Sequence, residues 1–203
     1  MPYVSIPGRS YYYAKYAALL PRAIVIGFHG ALGNGPGFAT QSGLHLRGVA
    51  AIFAYPSGYW GTWDSRQGSP DVAMTAALIA QLWQAHGQLP VYVTGMSAGA
   101  SMAYRAACEC SVDKLAAVAA GLNPTAGSHA PIDLLHIHGD HDGLVPFETY
   151  SPSIQAGIDL LAGMGAAIDR RLIAGGDHYW NMNAAGTLYD TTGEILRHWS
   201  LIP

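Results

Sequence analysis

The chain contains the segment Pro90-Val91-Tyr92-Val93-Thr94-Gly95-Met96-Ser97-Ala98-Gly99, and an alanine-rich segment of good helix propensity follows it. The apolar, β-branched start of the segment predicts a buried strand, and residues 97–110 have the period of a helix. A serine between Gly95 and Gly99 at such a junction is typical of a nucleophile on a strained turn, where only small neighbours avoid backbone clashes. Ser97 is therefore a candidate nucleophile. The alternative is that Ser97 caps the helix in an ordinary glycine-rich turn.

Strand-like and helical segments alternate along the chain. The apolar, strand-like segments are 23–28, 49–55, 91–94, 115–119, 134–137 and 167–173, and the helical ones are 71–86, 97–110, 153–164 and 192–199. We expect each of these strands to be buried and parallel. The tyrosines Tyr11, Tyr12, Tyr13 and Tyr16 predict antiparallel strands ahead of them. Together with the serine turn, the alternation predicts an α/β-hydrolase fold with a mostly parallel, doubly wound sheet.

Length and composition limit the classes of function. A chain of 203 residues, half of them apolar, predicts a single domain over residues 1–203 with little or no lid domain. Ten Lys and Arg residues against 13 Asp and Glu give a formal net charge of −3 without a basic run, so we expect no nucleic-acid partner. No apolar run approaches the roughly 20 residues that cross a bilayer, so we expect no membrane span.

The compartment and the oligomeric state stay open. The first residues lack the features of a secretory signal, so the expected location is cytoplasmic by default, or secreted if a presequence has been removed. Cys108 and Cys110 lie two positions apart in a predicted helix, where their side chains point away from each other. We expect two buried thiols there.

Two aspartates are candidates for a catalytic acid after the serine. The chain reads His138-Gly139-Asp140-His141-Asp142 directly after the predicted strand 134–137. A carboxylate at the end of a strand that follows the nucleophile strand is where the acid of this fold lies. We favour Asp142, because Asp140 lies closer to the strand and is better placed to shape the turn.

The candidate base is His178. It follows the strand 167–173 on a loop that contains Gly175 and Gly176, whereas His198 lies within a predicted helix. Its place last in the chain gives the order serine, aspartate, histidine, which is the order of the triad in this fold.

A glycine-rich loop after the strand 23–28 predicts an oxyanion hole. We assign one backbone N–H donor to Ala31 in this loop and the other to Ala98, the residue after the nucleophile. The loop lacks the Gly-Lys-Ser/Thr ending of a phosphate-binding loop, and we expect no cofactor. His29 precedes the serine, so we expect it to be structural.

Several aromatic side chains are candidates for substrate binding, because they fall on loops next to the catalytic segments. They are Tyr59, Trp60, Trp63, Tyr179 and Trp180. The alternative is that they cap the core, since amphipathic aromatics serve both purposes.

Two other functions stay open at this point. His136, His138, Asp140 and His141 fit the pattern H-x-H-x-D-H, which predicts a dinuclear zinc hydrolase in another fold. That fold carries the pattern early in the chain, and the zinc hypothesis leaves the serine turn unexplained, so we favour a site without metal. The other alternative is a hydrolase-fold protein that binds a ligand without turnover.

Four segments together resemble the polyhydroxybutyrate depolymerase and feruloyl esterase family. They are His29-Gly30, residues 95–99, residues 138–142 with Val145-Pro146, and Gly175-Gly176-Asp177-His178 with Trp180. The resemblance implies a serine carboxylic ester hydrolase in which Asp142 is the acid and His178 the base. It implies short-acyl, hydroxycinnamoyl or polyester-type substrates, either small molecules or polymers. The chain departs from the family in being short and without an evident secretion signal.

Overall fold

The computed structural model describes residues 2–121, 132–151, 153–184 and 186–203, and their main feature is one sheet of eight strands. The strands are β1 (Tyr3–Ile6), β2 (Arg9–Ala17), β3 (Ala23–Phe28), β4 (Ala51–Pro56), β5 (Val91–Met96), β6 (Lys114–Val118), β7 (Asp133–Gly139) and β8 (Ala167–Ile173). A second, two-stranded sheet pairs β9 (Asn183–Ala184) with β10 (Thr187–Leu188). The helices are α1 (Gly35–Ser42), α2 (Pro70–His86), α3 (Ala98–Glu109), α4 (Ile154–Gly163) and α5 (Thr191–His198), with 3₁₀ turns at Leu44–Leu46 and Tyr59–Gly61.

The order of the strands in the main sheet is β1-β2-β4-β3-β5-β6-β7-β8. β1 pairs antiparallel with β2, and β2 pairs antiparallel with β4. All other neighbours, from β4 to β8, are parallel. The predicted antiparallel strands ahead of a parallel sheet are therefore confirmed, and the carboxyl ends of six parallel strands lie at one edge.

Helices cover both faces of this sheet. On one face, α2 and α3 contribute fully buried side chains such as Leu78 and Met102 to the core. On the other face, α1 and α5 contribute Phe38 and Leu196. Because both faces are covered, the central strands β3 and β4 are buried at every position.

The prediction that every parallel strand is buried is wrong for β8. All of its residues are exposed or half-buried, among them Asp169, Arg170 and Arg171. β8 is an edge strand that pairs only with β7 among the described strands. Charged residues on such an edge discourage pairing with another chain.

Helix α1 was missing from the prediction, which treated the glycine-rich segment as a loop. Asn34 caps this helix, since its side chain accepts a hydrogen bond of 2.8 Å from the backbone N–H of Gly37. Pro36 occupies the first turn, where its missing N–H costs nothing. Asn34 and Pro36 were the available signals for a helix start.

Ser69 and the two cysteines are buried, and the prediction of two buried thiols is confirmed. Ser69 caps α2 by accepting a hydrogen bond from the backbone N–H of Val72. Cys108 and Cys110 are buried free thiols, and burial raises the pKa of Cys110 to about 12. Across the described part of the chain, none of the helices combines the length and the apolar character that a membrane span needs.

Candidate active site

Ser97 sits on a strained turn between β5 and α3. Its φ of 55° and ψ of −124° lie where side chains other than glycine are rarely found. A Cβ atom at Gly95 would lie 2.3 Å from the carbonyl oxygen of Gly99, and one at Gly99 would lie 2.1 Å from that of Phe28. Both positions therefore require glycine, which is the physical reason for the Gly-x-Ser-x-Gly pattern.

Asp142 and His178 meet at the same edge of the sheet. They follow the neighbouring strands β7 and β8, and Oδ2 of Asp142 lies 2.7 Å from Nδ1 of His178. The other carboxylate oxygen accepts hydrogen bonds from the backbone N–H groups of Leu144 (2.9 Å) and Val145 (2.8 Å). Because a carboxylate only accepts, the proton of the shared bond belongs on Nδ1 of His178. Nε2 of a neutral His178 is then free to accept a proton.

Ser97 and His178 line one cleft of about 410 Å³. Ala31, Leu144 and Tyr179 line it as well. A smaller pocket of about 230 Å³ lies next to the cleft, since Ala31 and Met96 border both. The structure thus brings a strained serine and a carboxylate-bound histidine to one solvent-accessible space.

Asp140 does not contact His178. Its carboxylate accepts a hydrogen bond of 2.6 Å from the backbone N–H of Gly175. The backbone N–H of His141 donates to the carbonyl of Gly176 at 2.9 Å. These two bonds tie the loop after β7 to the loop after β8, so Asp140 shapes the turn.

The two residues predicted as oxyanion donors lie near the serine. Ala31 lines the cleft, and Ala98 is the first residue of α3. N–H groups in the first turn of a helix have no intrahelical acceptor, and the helix dipole favours negative charge there. The arrangement is suited to stabilise a negatively charged oxygen next to Ser97.

His29 is structural, as its sequence position suggested. Its Nδ1 lies 2.7 Å from the carbonyl oxygen of Gly30, and its Nε2 accepts a hydrogen bond of 3.0 Å from the backbone N–H of Gly58. Burial lowers the pKa of His29, which favours the neutral ring. The ring bridges two loops beside the cleft.

His198 lies on α5, away from the serine. Its Nε2 is 3.0 Å from a carboxylate oxygen of Asp133, which begins β7 at the opposite end from Asp142. It is a packing residue of the helix, as expected.

Of the five aromatic candidates for substrate binding, Tyr179 lines the cleft and is 61% exposed. Trp63 and Trp180 are buried in the core instead, where their indole N–H groups donate to the carbonyl of His29 and the hydroxyl of Thr192. These two assignments were wrong, because an indole with a buried hydrogen-bond partner is satisfied inside the core.

Tyr59 and Trp60 also lie outside the cleft lining. The hydroxyl of Tyr59 interacts with the backbone of Ser10, and Trp60 is 93% exposed with a φ of 56°. Neither contributes to the cleft wall. Gln41 and Met96, which line the cleft, were not predicted. Met96 was detectable as the neighbour of the candidate nucleophile, whereas Gln41 belongs to the unpredicted helix α1.

The four residues of the alternative zinc hypothesis do not converge. His136 and His138 are buried and hydrogen-bonded to other side chains, whereas Asp140 and His141 are exposed on the following turn. Within the described residues, no group of three or more His, Cys, Asp or Glu side chains has the arrangement of a metal site.

The chain is similar in sequence to proteins named probable feruloyl esterase C. It is 34% identical over 120 residues to the one from Aspergillus clavatus, a match that covers 56% of this chain and 44% of that protein. With the one from Aspergillus flavus it shares 31% identity over 146 residues, covering 66% of this chain and 54% of that protein. The chain thus spans about half the length of these relatives, and no protein-family model matches it. The predicted resemblance to this esterase family is confirmed.

Solved structures show the same fold. Esterase PE8 superposes with a TM-score of 0.67 at 18% identity, over 93% of this chain and 98% of that protein. Acyl-protein thioesterase 2 of Zea mays gives a TM-score of 0.66 at 17% identity, over 95% and 98% of the two chains. At these identities the likeness concerns the fold alone, and it confirms the predicted α/β-hydrolase fold.

Proposed function

We propose that this chain, with its α/β-hydrolase fold and its sequence similarity to feruloyl esterases, is a serine carboxylic ester hydrolase. One observation carries the proposal. Ser97 lies on its strained turn, His178 is hydrogen-bonded to Asp142, and both line the same cleft. This combination supplies a nucleophile, a base and a group that orients the base.

The reaction has two halves. Nε2 of His178 takes the proton of the Ser97 hydroxyl while the oxygen attacks the ester carbonyl. The resulting oxyanion accepts hydrogen bonds from the N–H groups of Ala31 and Ala98. The bond between the carbonyl carbon and the alcohol oxygen then breaks, the alcohol leaves with the proton from His178, and an acyl-enzyme remains. In the second half, His178 takes a proton from water, and the water oxygen attacks the acyl carbon. The bond to Ser97 then breaks, the acid is released, and the serine regains its proton from His178.

Asp142 acts through His178. It keeps the proton on Nδ1, so that Nε2 is left as the acceptor for the serine proton, and it stabilises the imidazolium that forms during each half-reaction.

The cleft favours modest acyl or alcohol groups with apolar parts. Met96, Leu144 and Tyr179 give it apolar walls, and the neighbouring smaller pocket offers space for the second half of an ester. Cavities of this size class bind small ligands. Short-acyl, hydroxycinnamoyl and polyester-type esters, as small molecules or chain ends of a polymer, are the proposed substrates.

The deciding experiment is hydrolysis of 4-nitrophenyl acetate and butyrate by the parent chain and by Ser97→Ala. We expect a loss on the order of 10⁶-fold in kcat, because the members of a triad act as a unit. Ser101→Ala is the matched control, since this serine lies one turn further along α3, donates its hydroxyl proton to the carbonyl of Gly121 and does not line the cleft. Unchanged activity in Ser97→Ala would refute the nucleophile assignment.

The same assay on a panel of acetyl-xylan, feruloyl, hydroxybutyrate-oligomer and short acyl esters ranks the substrate classes. A parent chain that hydrolyses none of them would favour the binding-only alternative.

A further inference from the structure

A buried chain of polar side chains extends behind Asp142. Tyr104 on α3 lies with its hydroxyl 2.6 Å from Nδ1 of His136. Nε2 of His136 is 3.2 Å from Nδ1 of His138, its neighbour on the same face of β7. Nε2 of His138 is 2.7 Å from the carbonyl oxygen of Val145 and 3.2 Å from Oδ2 of Asp142. All of these side chains are buried.

The hydrogen-bond donors in this chain can point in one direction only. Nε2 of His138 faces a carbonyl and a carboxylate, both of which accept, so it carries the proton. Nδ1 of a neutral His138 then accepts, which requires Nε2 of His136 to donate. Nδ1 of His136 accepts in turn, so the hydroxyl of Tyr104 is the donor. Each donor finds an acceptor, as buried polar groups require.

Burial supports neutral rings. It lowers the pKa of His138 and lowers that of His136 well below its usual value. Two buried histidines at hydrogen-bond distance are compatible when both are neutral, because one ring nitrogen then donates and the other accepts.

From this geometry we infer that His138 and His136, with Tyr104, are positioning residues for Asp142. The inference rests on the proposed function and extends it. His138 contacts both ends of the turn from Asp142 to Val145, and this turn also carries Leu144 of the cleft wall. The chain of donors fixes the plane of the carboxylate, so that Oδ2 meets Nδ1 of His178.

The network also joins two parts of the site. Tyr104 belongs to the helix that begins directly after Ser97, and His138 precedes the acid loop. A polar chain in this core costs free energy unless it is fully satisfied, and apolar side chains would fill the space more simply. The role of this arrangement is to keep the helix after the nucleophile and the loop that carries the acid in a fixed relative position.

The test replaces two side chains of this hydrogen-bonded network, His138 and Tyr104. In His138→Leu we expect kcat to fall by about 10- to 10²-fold with little change in KM, because a misplaced group costs rate rather than binding. In His138→Gln the amide nitrogen can donate from nearly the same place, and most of the loss should be recovered. Tyr104→Phe should give a smaller loss in kcat. Tyr13→Phe, at another buried tyrosine whose hydroxyl contacts Gln81, is its matched control.

Two NMR measurements do not depend on turnover. The nitrogen resonances of His136 and His138 should show the proton on Nε2 in both rings of the parent chain. The Nδ1–H proton of His178 should give a strongly deshielded resonance that moves or broadens in His138→Leu and is retained in Tyr13→Phe. A purely structural role would lower the thermal stability of the variants and leave this resonance and kcat unchanged.

The outcomes separate the two proposals. Protonation on Nδ1 of His138, or folded variants with parental kcat and an unmoved His178 resonance, overturns the positioning role. A parent chain without esterase activity whose His178 resonance still responds to His138→Leu contradicts the proposed function and leaves the positioning role intact. If His138→Leu does not fold, the tautomers of the parent chain and Tyr104→Phe decide the matter.

Discussion

Two carboxylates only two positions apart have different environments, and this difference makes a prediction at the level of single residues. Asp142 accepts a hydrogen bond from the Nδ1–H of His178, whereas Asp140 accepts one from the backbone N–H of Gly175. In Asp142→Asn we expect kcat to fall by about 10⁴-fold, because an amide does not hold the productive tautomer of the histidine. The measurement is kcat at saturating 4-nitrophenyl butyrate, with near-ultraviolet circular dichroism to verify folding.

Asp140→Asn is the control for that change. The side-chain oxygen of an asparagine still accepts from Gly175, so kcat should stay close to that of the parent chain. A greater loss of kcat in Asp140→Asn would assign the acid to Asp140. Equal losses in the two variants would contradict a specific catalytic role for Asp142.

The glycines around Ser97 give a second residue-level prediction. Gly99→Ala places a methyl group against the backbone carbonyl of Phe28, at a distance of 2.1 Å that no side-chain motion relieves. We expect a loss of more than about 2 kcal/mol in the free energy of unfolding, or failure to fold. Urea denaturation of purified protein measures it.

Gly163→Ala is the matched glycine replacement. Gly163 is the last residue of α4, and outside its chain neighbours and the adjacent helix backbone a Cβ atom there meets no atom within 4 Å. Helix propensity predicts a gain of up to about 1 kcal/mol. Similar effects at the two glycines would contradict the steric account of the serine turn.

At the scale of secondary structure, the sequence was most informative where one physical effect dominated. The bounds of β3 and β8 were predicted as observed. β3 is a continuous apolar run, whereas β8 has apolar residues only at its two ends, on either side of Asp169, Arg170 and Arg171. The exposure of β8 had a signal that the prediction overlooked, since the three consecutive charged residues Asp169, Arg170 and Arg171 do not suit a strand that is buried on both faces. Helix α1 was missed because the low helix propensity of its glycines and Pro36 masked the cap at Asn34.

In the candidate site, too, the sequence was informative at some residues and not at others. Ser97 and His178 could be selected as candidates because each follows a strand at a glycine-containing turn. The roles of Tyr179 and Trp180 were not separable, since neighbours on an irregular loop point in unrelated directions. The structure directs Tyr179 into the cleft and Trp180 into the core, where it contacts Phe38.

The start of α2 permits a prediction about a single element. Ser69 accepts from the N–H of Val72 and donates to the carbonyl of Asp64 at 2.5 Å. Ser69→Ala removes both bonds, and we expect a loss of about 1–2 kcal/mol in the free energy of unfolding by urea. Ser153→Ala, at the exposed cap of α4, is the control and should cost less. A greater loss at Ser153 would contradict the importance of the buried cap.

At the scale of the whole molecule, the topology explains why distant residues meet. The proposed nucleophile follows β5, the acid follows β7 and the base follows β8, and these strands lie within four adjacent positions of the sheet. Their carboxyl ends are at one edge because the strands are parallel, which is where ligands of open α/β sheets bind.

Buried histidines make the stability of the whole fold depend on pH. Burial lowers the pKa of His29, His136 and His138 in the folded chain, whereas in the unfolded chain each regains an ordinary pKa of about 6.5. Below that pH the unfolded state binds protons that the folded state does not, so stability falls as the pH falls. Above it all three are neutral in both states and contribute no pH dependence.

We therefore expect the midpoint of urea denaturation to be lower at pH 5 than at pH 7. In His136→Phe the difference between the two midpoints should shrink, because one buried group no longer takes up a proton on unfolding. His141→Gln should retain the parental difference, since His141 is exposed and its contact to Gly176 uses the backbone. A midpoint that rises between pH 7 and pH 5, or an unaltered difference in His136→Phe, would show that these rings are not buried in the neutral form.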